Sequence, residues 1–273
     1  MPIEITDSVR FFRDLDMRDA EVCSIASGVA AVYTARCPGK ETPNEDAAAL
    51  IPCGARSAVL AVADGFGGQA AGEQAARIAL DALTSAVDKA IAAGSALRAG
   101  ILDGFERANE AVTGLGVGAA TTLAALEIES GQVRPYHVGD SMILVVGQRG
   151  KLKLQTVSHS PVGYAVEAGY LEEDEALHHE DRHIVSNMVG SPEMRIEIGP
   201  TRRLRPRDTV LIGSDGLFDN LQANEIMELV RKGPLSDAAR LLSTRCGQQM
   251  QSPDEGQASK PDDLTFILYR PQG

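Results

Sequence analysis

The stretch TTLAALEIESGQVRPYHVGDSMILVVGQRGKLKLQTV, residues 121–157, decides the fold. It holds four apolar runs, 121–128, 133–138, 142–146 and 151–157, parted only by short turns at Gly131, at Gly139-Asp140 and at 147–150. Connections this short join antiparallel neighbours, because parallel strands need a crossover of a dozen or more residues. The stretch therefore predicts hairpins in an antiparallel sheet. Toward the N-terminus, residues 27–35 (SGVAAVYTA) and 58–63 (AVLAVA) read as further strands. From 70 to 93, Ala76, Ala79, Leu83, Val87 and Ile91 recur every three or four residues, which predicts an amphipathic helix ending at Gly94. Leu97, Ile101, Phe105, Ala108 and Val112 share one face of a second helix. Beyond the hairpins, 209–212 and 264–269 read as strands, 223–231 and 236–250 as helices, and 252–260 as a polar surface loop. Strands in runs followed by helices in runs predict a layered α+β architecture.

The 273 residues are 44% hydrophobic and 23% charged, a globular composition that excludes disordered, collagenous and coiled-coil chains. No long linker and no repeat divides the chain, so residues 26–273 read as one domain behind an N-terminal extension, 1–25. Twenty-six Lys and Arg against 38 Asp and Glu leave a formal charge of -12. Such a surface repels phosphate backbones and anionic lipid, so neither nucleic acid nor membrane is an expected partner. No apolar run approaches the roughly 20 residues that span a bilayer, and the start is charged throughout. The four cysteines include no C-x-x-C pair, which predicts free thiols and a cytoplasmic location.

Chemistry is concentrated in the acidic residues. Three apolar strands run straight into an aspartate flanked by small residues: VLAVADG into Asp64, YHVGDS into Asp140 and VLIGSDG into Asp215. Asp262-Asp263 opens the last strand, and Asn44-Glu45-Asp46 precedes the run AAALI. A single Asp-Gly is usually a turn. Several at the ends of apolar strands would bury carboxylates together, which is costly unless a cation compensates them. Oxygen ligands without Cys or His favour Mg²⁺ or Mn²⁺ over zinc.

The order of these motifs resembles the metal-dependent serine/threonine protein phosphatases of type 2C, from about residue 27 to 270. The matching pieces are Asn44-Glu45-Asp46; Asp64-Gly65-Phe66-Gly67-Gly68 with Gly72-Glu73; Gly118-Ala119-Ala120-Thr121-Thr122; Val138-Gly139-Asp140-Ser141; Gly190; Ser214-Asp215-Gly216-Leu217-Phe218-Asp219; and Asp262-Asp263-Leu264-Thr265. The resemblance implies a four-layer α-β-β-α sandwich, two antiparallel sheets flanked by helices, with a dinuclear Mg²⁺ or Mn²⁺ site at one end. It further implies that Asp64 bridges both ions, that the Gly65 carbonyl binds one and that Asp215 and Asp262 hold the other. Glu45 and Asp46 would act mainly through bound water, and Asp140 and Asp219 match positions that, with Asp215, hold a third, weaker ion in some members. Asp64, Asp215 and Asp262 are thus the expected catalytic residues. The implied chemistry is hydrolysis of phosphoserine and phosphothreonine by direct attack of a metal-bridging water or hydroxide, without a phosphoenzyme.

The chain also departs from the family pattern. Many members carry an arginine three residues before Asn-Glu-Asp. Glu41 stands there, which leaves Lys40 or Arg36 as the phosphate ligand, or neither. Phe66 fills the slot in which some members have a general-acid histidine. Residues 158–186 match a variable flap that shapes substrate choice, against the alternative of an exposed helical connection. The expected partners are phosphorylated proteins, opposing a Ser/Thr kinase, and the chain is expected to be a monomer. Two other readings remain: a catalytically weak phosphoprotein-binding scaffold of the same fold, and, remotely, a zinc metalloprotease. The latter rests on His179-Glu180-Asp181-Arg182-His183, whose histidines would share a face if helical. His137 and His159 show no partner in the sequence and are expected to be structural.

Overall fold

The computed structural model describes residues 4–66, 71–116, 118–253 and 259–272. The chain opens with strands β1 (Glu4–Ile5), β2 (Arg10–Arg13), β3 (Glu21–Ile25), β4 (Gly28–Ala35), β5 (Asp46–Gly54) and β6 (Ser57–Phe66). Helices α1 (Ala71–Ala92) and α2 (Leu97–Thr113) follow, then β7 (Ala120–Thr121), β8 (Leu123–Glu129), β9 (Gln132–Val138), β10 (Met142–Val146) and β11 (Leu152–Gln155). Next come α3 (Pro161–Glu167), α4 (Glu173–Leu177), a 3-10 turn (Glu180–His183), β12 (Glu197–Ile198) and β13 (Arg202–Arg203). The chain closes with β14 (Thr209–Gly213), α5 (Asp215–Phe218), α6 (Ala223–Val230), α7 (Leu235–Gln251) and β15 (Leu264–Pro271).

One sheet has the order β1-β3-β4-β15-β14-β10-β11, and the other β12-β9-β8-β6-β5-β2, with β13 on β9 and β7 on β6. Pairing is antiparallel except between β1 and β3. Alternation along each strand sorts its side chains into separate apolar layers. In β5, Ala48 and Leu50 face the other sheet, whereas Ala47, Ala49 and Ile51 face α1 and α2. In β15, Ile267 and Tyr269 point between the sheets, and Phe266 and Leu268 toward α7. Sheets covered on both faces explain why these strands read as continuous apolar runs. The result is the four-layer α-β-β-α sandwich. Small residues let α1 and α2 approach closely: a Cβ on Gly104 would lie 2.9 Å from the Leu83 backbone.

The segment 1–25 does more than precede the sandwich, since β2 pairs with β5 and β3 with β4, and Phe12, Cys23 and Ile25 lie in the inter-sheet core. The run 121–128 is broken at Thr122, because β7 pairs with Gly65 and Phe66 while β8 pairs higher along β6. The α1 start expected at Ala70 lies outside the described residues, as do Gly67, Gly68 and residues 254–258 of the expected surface loop. No helix among the described residues is long and apolar enough to cross a membrane.

Candidate metal centre

The β5–β6 hairpin sets Asp46 opposite Asp64. Asn44, fully buried, locks the approach to it: its amide donates to Thr34 Oγ1 and the Leu15 carbonyl (both 2.9 Å), and its Oδ1 accepts the Asp46 N–H (2.9 Å). Ser214 Oγ donates to Asp46 Oδ2 at 2.7 Å and accepts the Thr265 N–H at 3.1 Å, tying the two sheets together beneath the carboxylates. The Asp64 backbone is fixed by Thr121 and Thr122. Its N–H donates to Thr122 Oγ1 (3.0 Å), and its carbonyl accepts from the Thr122 N–H (2.8 Å) and Thr121 Oγ1 (2.9 Å). Thr122 Oγ1 lies 2.8 Å from Ser141 Oγ, beside Asp140. Gly65 must be glycine, since a Cβ there would lie 2.0 Å from the Gly72 carbonyl oxygen.

Asp215 opens α5 where β14 ends, and Asp219 caps the same helical turn, its N–H donating to the Asp215 carbonyl (2.8 Å). Asp262 stands just before β15 and accepts the Asp263 N–H (2.9 Å). Gly216 passes so close to this segment that a Cβ would lie 2.0 Å from the Asp263 carbonyl oxygen. Asp140 follows Gly139, whose φ of +106° makes the turn out of β9.

The expected ligands therefore share one end of the sandwich, and the electrostatics show it. Burial, then the negative charges of Asp215, Asp46, Asp140 and Asp262, holds the Asp64 carboxyl well above the usual range. Asp46 is raised likewise by burial, against the pull of the Ser214 hydrogen bond. Burial followed by Asp215 pushes Asp140 up to about 8, and Asp219 and Asp262 each to about 6. Asp219 Oδ2 is buried without a hydrogen bond, 3.1 Å from the Lys260 ammonium. An oxygen-only set whose members resist ionisation together fits a hard divalent cation, Mg²⁺ or Mn²⁺.

The basic candidates are already engaged. Lys40 Nζ sits 2.7 Å from Glu45 Oε2 and 2.6 Å from buried Asp263 Oδ2, and Arg36 pairs with Asp16 at 3.2 Å. Neither presents a free cation for phosphate. Asp263 also accepts the N–H groups of Cys37 and Glu45 (2.7 Å each), so it braces the Asn44-Glu45-Asp46 loop. Lys260, expected in a polar surface loop, instead enters the cleft. Burial works against its charge, but Asp215 and Asp219 outweigh it and hold its ammonium proton more tightly than usual. Sequence reading missed Lys260 as a cleft residue, while Ser214 and Asp263 stood inside the quoted motifs without a role of their own.

Residues 158–186 form α3, α4 and the 3-10 turn over a cavity of about 760 Å³. Asp140, Asp215 and Asp219 line it together with Val162, Leu171 and Phe218. The helix that the remote zincin reading requires does not form: His179 is the N-cap of the 3-10 turn, and its Nδ1 accepts the Asp181 N–H at 3.1 Å. Its shared helical face with His183 therefore does not form.

His137 and His159 stack with ring centroids 4.3 Å apart and, with Glu197, make a second group of metal-ligating type. Hydrogen bonds oppose that use. His159 Nδ1 accepts from the Gly139 N–H and the Asn187 amide, which leaves its Nε2–H to donate to Glu197 at 3.1 Å. His137 Nε2 faces the Val157 carbonyl at 2.8 Å.

A double-sheet sandwich with an oxygen-only cleft at one end is the build of a cation-dependent phosphohydrolase. The sequence matches the family described as protein phosphatase 2C over residues 35–250. The protein phosphatase PhpP of Streptococcus pneumoniae is 32% identical over 212 residues, 74% of this chain and 85% of that one. A Streptococcus agalactiae serine/threonine phosphatase structure matches with a TM-score of 0.74 at 26% identity, covering 89% of this chain and 99% of that one. The catalytic domain of the serine/threonine protein phosphatase PstP, in complex with 2 manganese ions, matches with a TM-score of 0.68 at 25% identity, over 88% of this chain and 96% of that one. The chain belongs to the protein phosphatase 2C family, the metal-dependent serine/threonine protein phosphatases, and is an enzyme of that class.

Proposed function

We propose that this phosphatase binds two Mg²⁺ or Mn²⁺ ions and hydrolyses phosphoserine and phosphothreonine in proteins without a covalent intermediate. The observation that carries the reading is the gathering of Asp46, Asp64, Asp140, Asp215 and Asp262 on one cleft, where burial and the neighbouring carboxylates raise Asp46, Asp64, Asp140 and Asp262. Asp64 and the Gly65 carbonyl, with Asp215 and Asp262, would hold the ions, and Glu45 and Asp46 would orient water around them. The manganese ions of the related PstP domain support the choice of metal and the count. Bound there, Mg²⁺ or Mn²⁺ supplies Lewis-acid polarisation of a phosphoryl group and a water of lowered pKa. The chain's own share is positional: Thr121 and Thr122 fix Asp64, Ser214 fixes Asp46, and Asp263 fixes the backbone of Glu45. Phe66 has no ionisable proton, so this side chain does not protonate the departing Ser or Thr oxygen. The flap cavity beside the carboxylates supports a role for residues 158–186 in substrate choice. A monomer working in the cytoplasm against a Ser/Thr kinase completes the proposal.

The test is Mn²⁺-dependent hydrolysis of p-nitrophenyl phosphate and of phosphoserine, phosphothreonine and phosphotyrosine peptides, with Asp64→Asn and Asp215→Asn as controls. Turnover should require the metal, favour phosphoserine and phosphothreonine, and vanish in both variants. Undiminished turnover in chelator, or in Asp64→Asn, overturns the reading, and metal binding without turnover points to the phosphoprotein-binding scaffold.

A further inference from the structure

Lys260 belongs to no motif described above, yet its side chain ends among the cleft carboxylates. Its Nζ lies 2.5 Å from Asp215 Oδ2, 3.1 Å from Asp219 Oδ2 and 3.3 Å from Asp262 Oδ2. The placement is built into the backbone. Buried Asn220 clasps the residue from both sides: its Oδ1 accepts the Lys260 N–H at 2.8 Å, and its Nδ2 donates to the Lys260 carbonyl at 2.7 Å. The same Nδ2 donates to the Gly216 carbonyl at 2.9 Å, so the α5 turn carrying Asp215 and Asp219 also anchors the lysine that neutralises them. On the other flank, the Ser259 carbonyl accepts from Arg182 Nη2 at 3.1 Å, and Ser259 Oγ donates to the Gln249 carbonyl at 3.0 Å. Pro261 further holds residue 260 to extended backbone.

We propose that Lys260 is a built-in monovalent counter-cation of this cleft, which competes with divalent ions for Asp215, Asp219 and Asp262. The proposal rests on the metal-binding reading above. An ammonium and a divalent cation held on the same carboxylates repel each other, so each weakens the binding of the other. A metal ion entering at Asp215 and Asp219 therefore competes with the lysine for their oxygens. The consequence is a cleft that tolerates the metal-free state but gives up metal affinity at its Asp219 end. The number of ions held there then depends on the free Mg²⁺ or Mn²⁺ concentration.

The test is equilibrium dialysis and calorimetric titration with Mn²⁺ alone on the wild type, Lys260→Met, Lys260→Gln and Lys260→Arg, with melting curves in chelator. Lys260→Met and Lys260→Gln should bind Mn²⁺ about tenfold more tightly or take up one more ion. They should also melt at lower temperature when metal-free, and Lys260→Arg should stay near wild type in both measurements. Wild-type affinity and stoichiometry in both neutral variants, or weaker binding, overturns the proposal. If Lys260→Met does not fold, Lys260→Gln, closer in polarity, decides. A wild type that takes up no Mn²⁺ overturns the metal-binding reading instead. The competition then stands only if a neutral variant gains Mn²⁺ binding, and falls if neither does.

Discussion

Asp46 and Asp64 face each other across the β5–β6 ladder, so two carboxylates leave neighbouring strands at the same level of the sandwich. Asp46 is buried and receives a hydrogen bond from Ser214 across the inter-sheet gap, whereas Asp64 is bounded by Thr121 and Thr122 on β7 and its junction with β8. The cleft is thus a meeting of both sheets, and its properties depend on the seam between them.

The first expectation concerns pH. Asp140 is pushed up to about 8, and Asp219 and Asp262 to about 6, all above the ordinary aspartate value. The metal-free folded chain therefore holds protons that the unfolded chain has already released. Its stability is full below the ordinary aspartate range and is lost as pH rises through about 6 and then about 8. Melting curves in chelator should fall by several degrees between about pH 5 and pH 9. Saturating Mn²⁺ should flatten or reverse the trend, because ligands must lose their protons to bind.

Ser214→Ala removes both the donor to Asp46 and the acceptor of the Thr265 N–H, in a fully buried place. The expected loss is about 1–3 kcal/mol in urea denaturation. Mn²⁺ affinity should weaken by about tenfold, since groups that orient ligands carry effects of that size. Calorimetric titration reads the second effect separately from the first.

Gly216→Ala places a Cβ 2.0 Å from the Asp263 carbonyl oxygen, a backbone atom that cannot rotate away. The α5 turn must move off the β15 entry, separating Asp215 from Asp262. A destabilisation of about 1–3 kcal/mol is expected. Loss of turnover should exceed that of a substitution of equal destabilisation placed in α2, and matched activity losses would disprove this link.

Lys40→Met leaves buried Asp263 without its cation, and about 3 kcal/mol of stability should go with it. Lys40→Met combined with Asp263→Asn should recover much of that loss in a double-mutant cycle. Since Lys40 is bonded to Glu45 and Asp263, the KM for p-nitrophenyl phosphate at saturating Mn²⁺ should change little. A large rise in KM alone would return Lys40 to the phosphate.

The sequence by itself determined the antiparallel strand runs, the long helices α1, α2 and α7 and the aspartates at strand ends. Each is written in local periodicity or in turn residues, which act over a few positions. The apolar runs around Asp64, Asp140 and Asp215 were legible because strands covered on both faces carry no polar alternation. Only the tertiary structure decided the rest. Short β2 and β3 have too few residues to show a pattern, and they become strands because β5 and β4 offer them edges. Lys40 meets Asp263 across 223 positions and Lys260 meets Asp215 across 45, pairings fixed by packing alone. His179 and His183 show the converse, a local string whose helical reading the fold did not adopt. Charge composition told how many carboxylates there are. Folding decided which of them share a cleft, and which lysine joins them there.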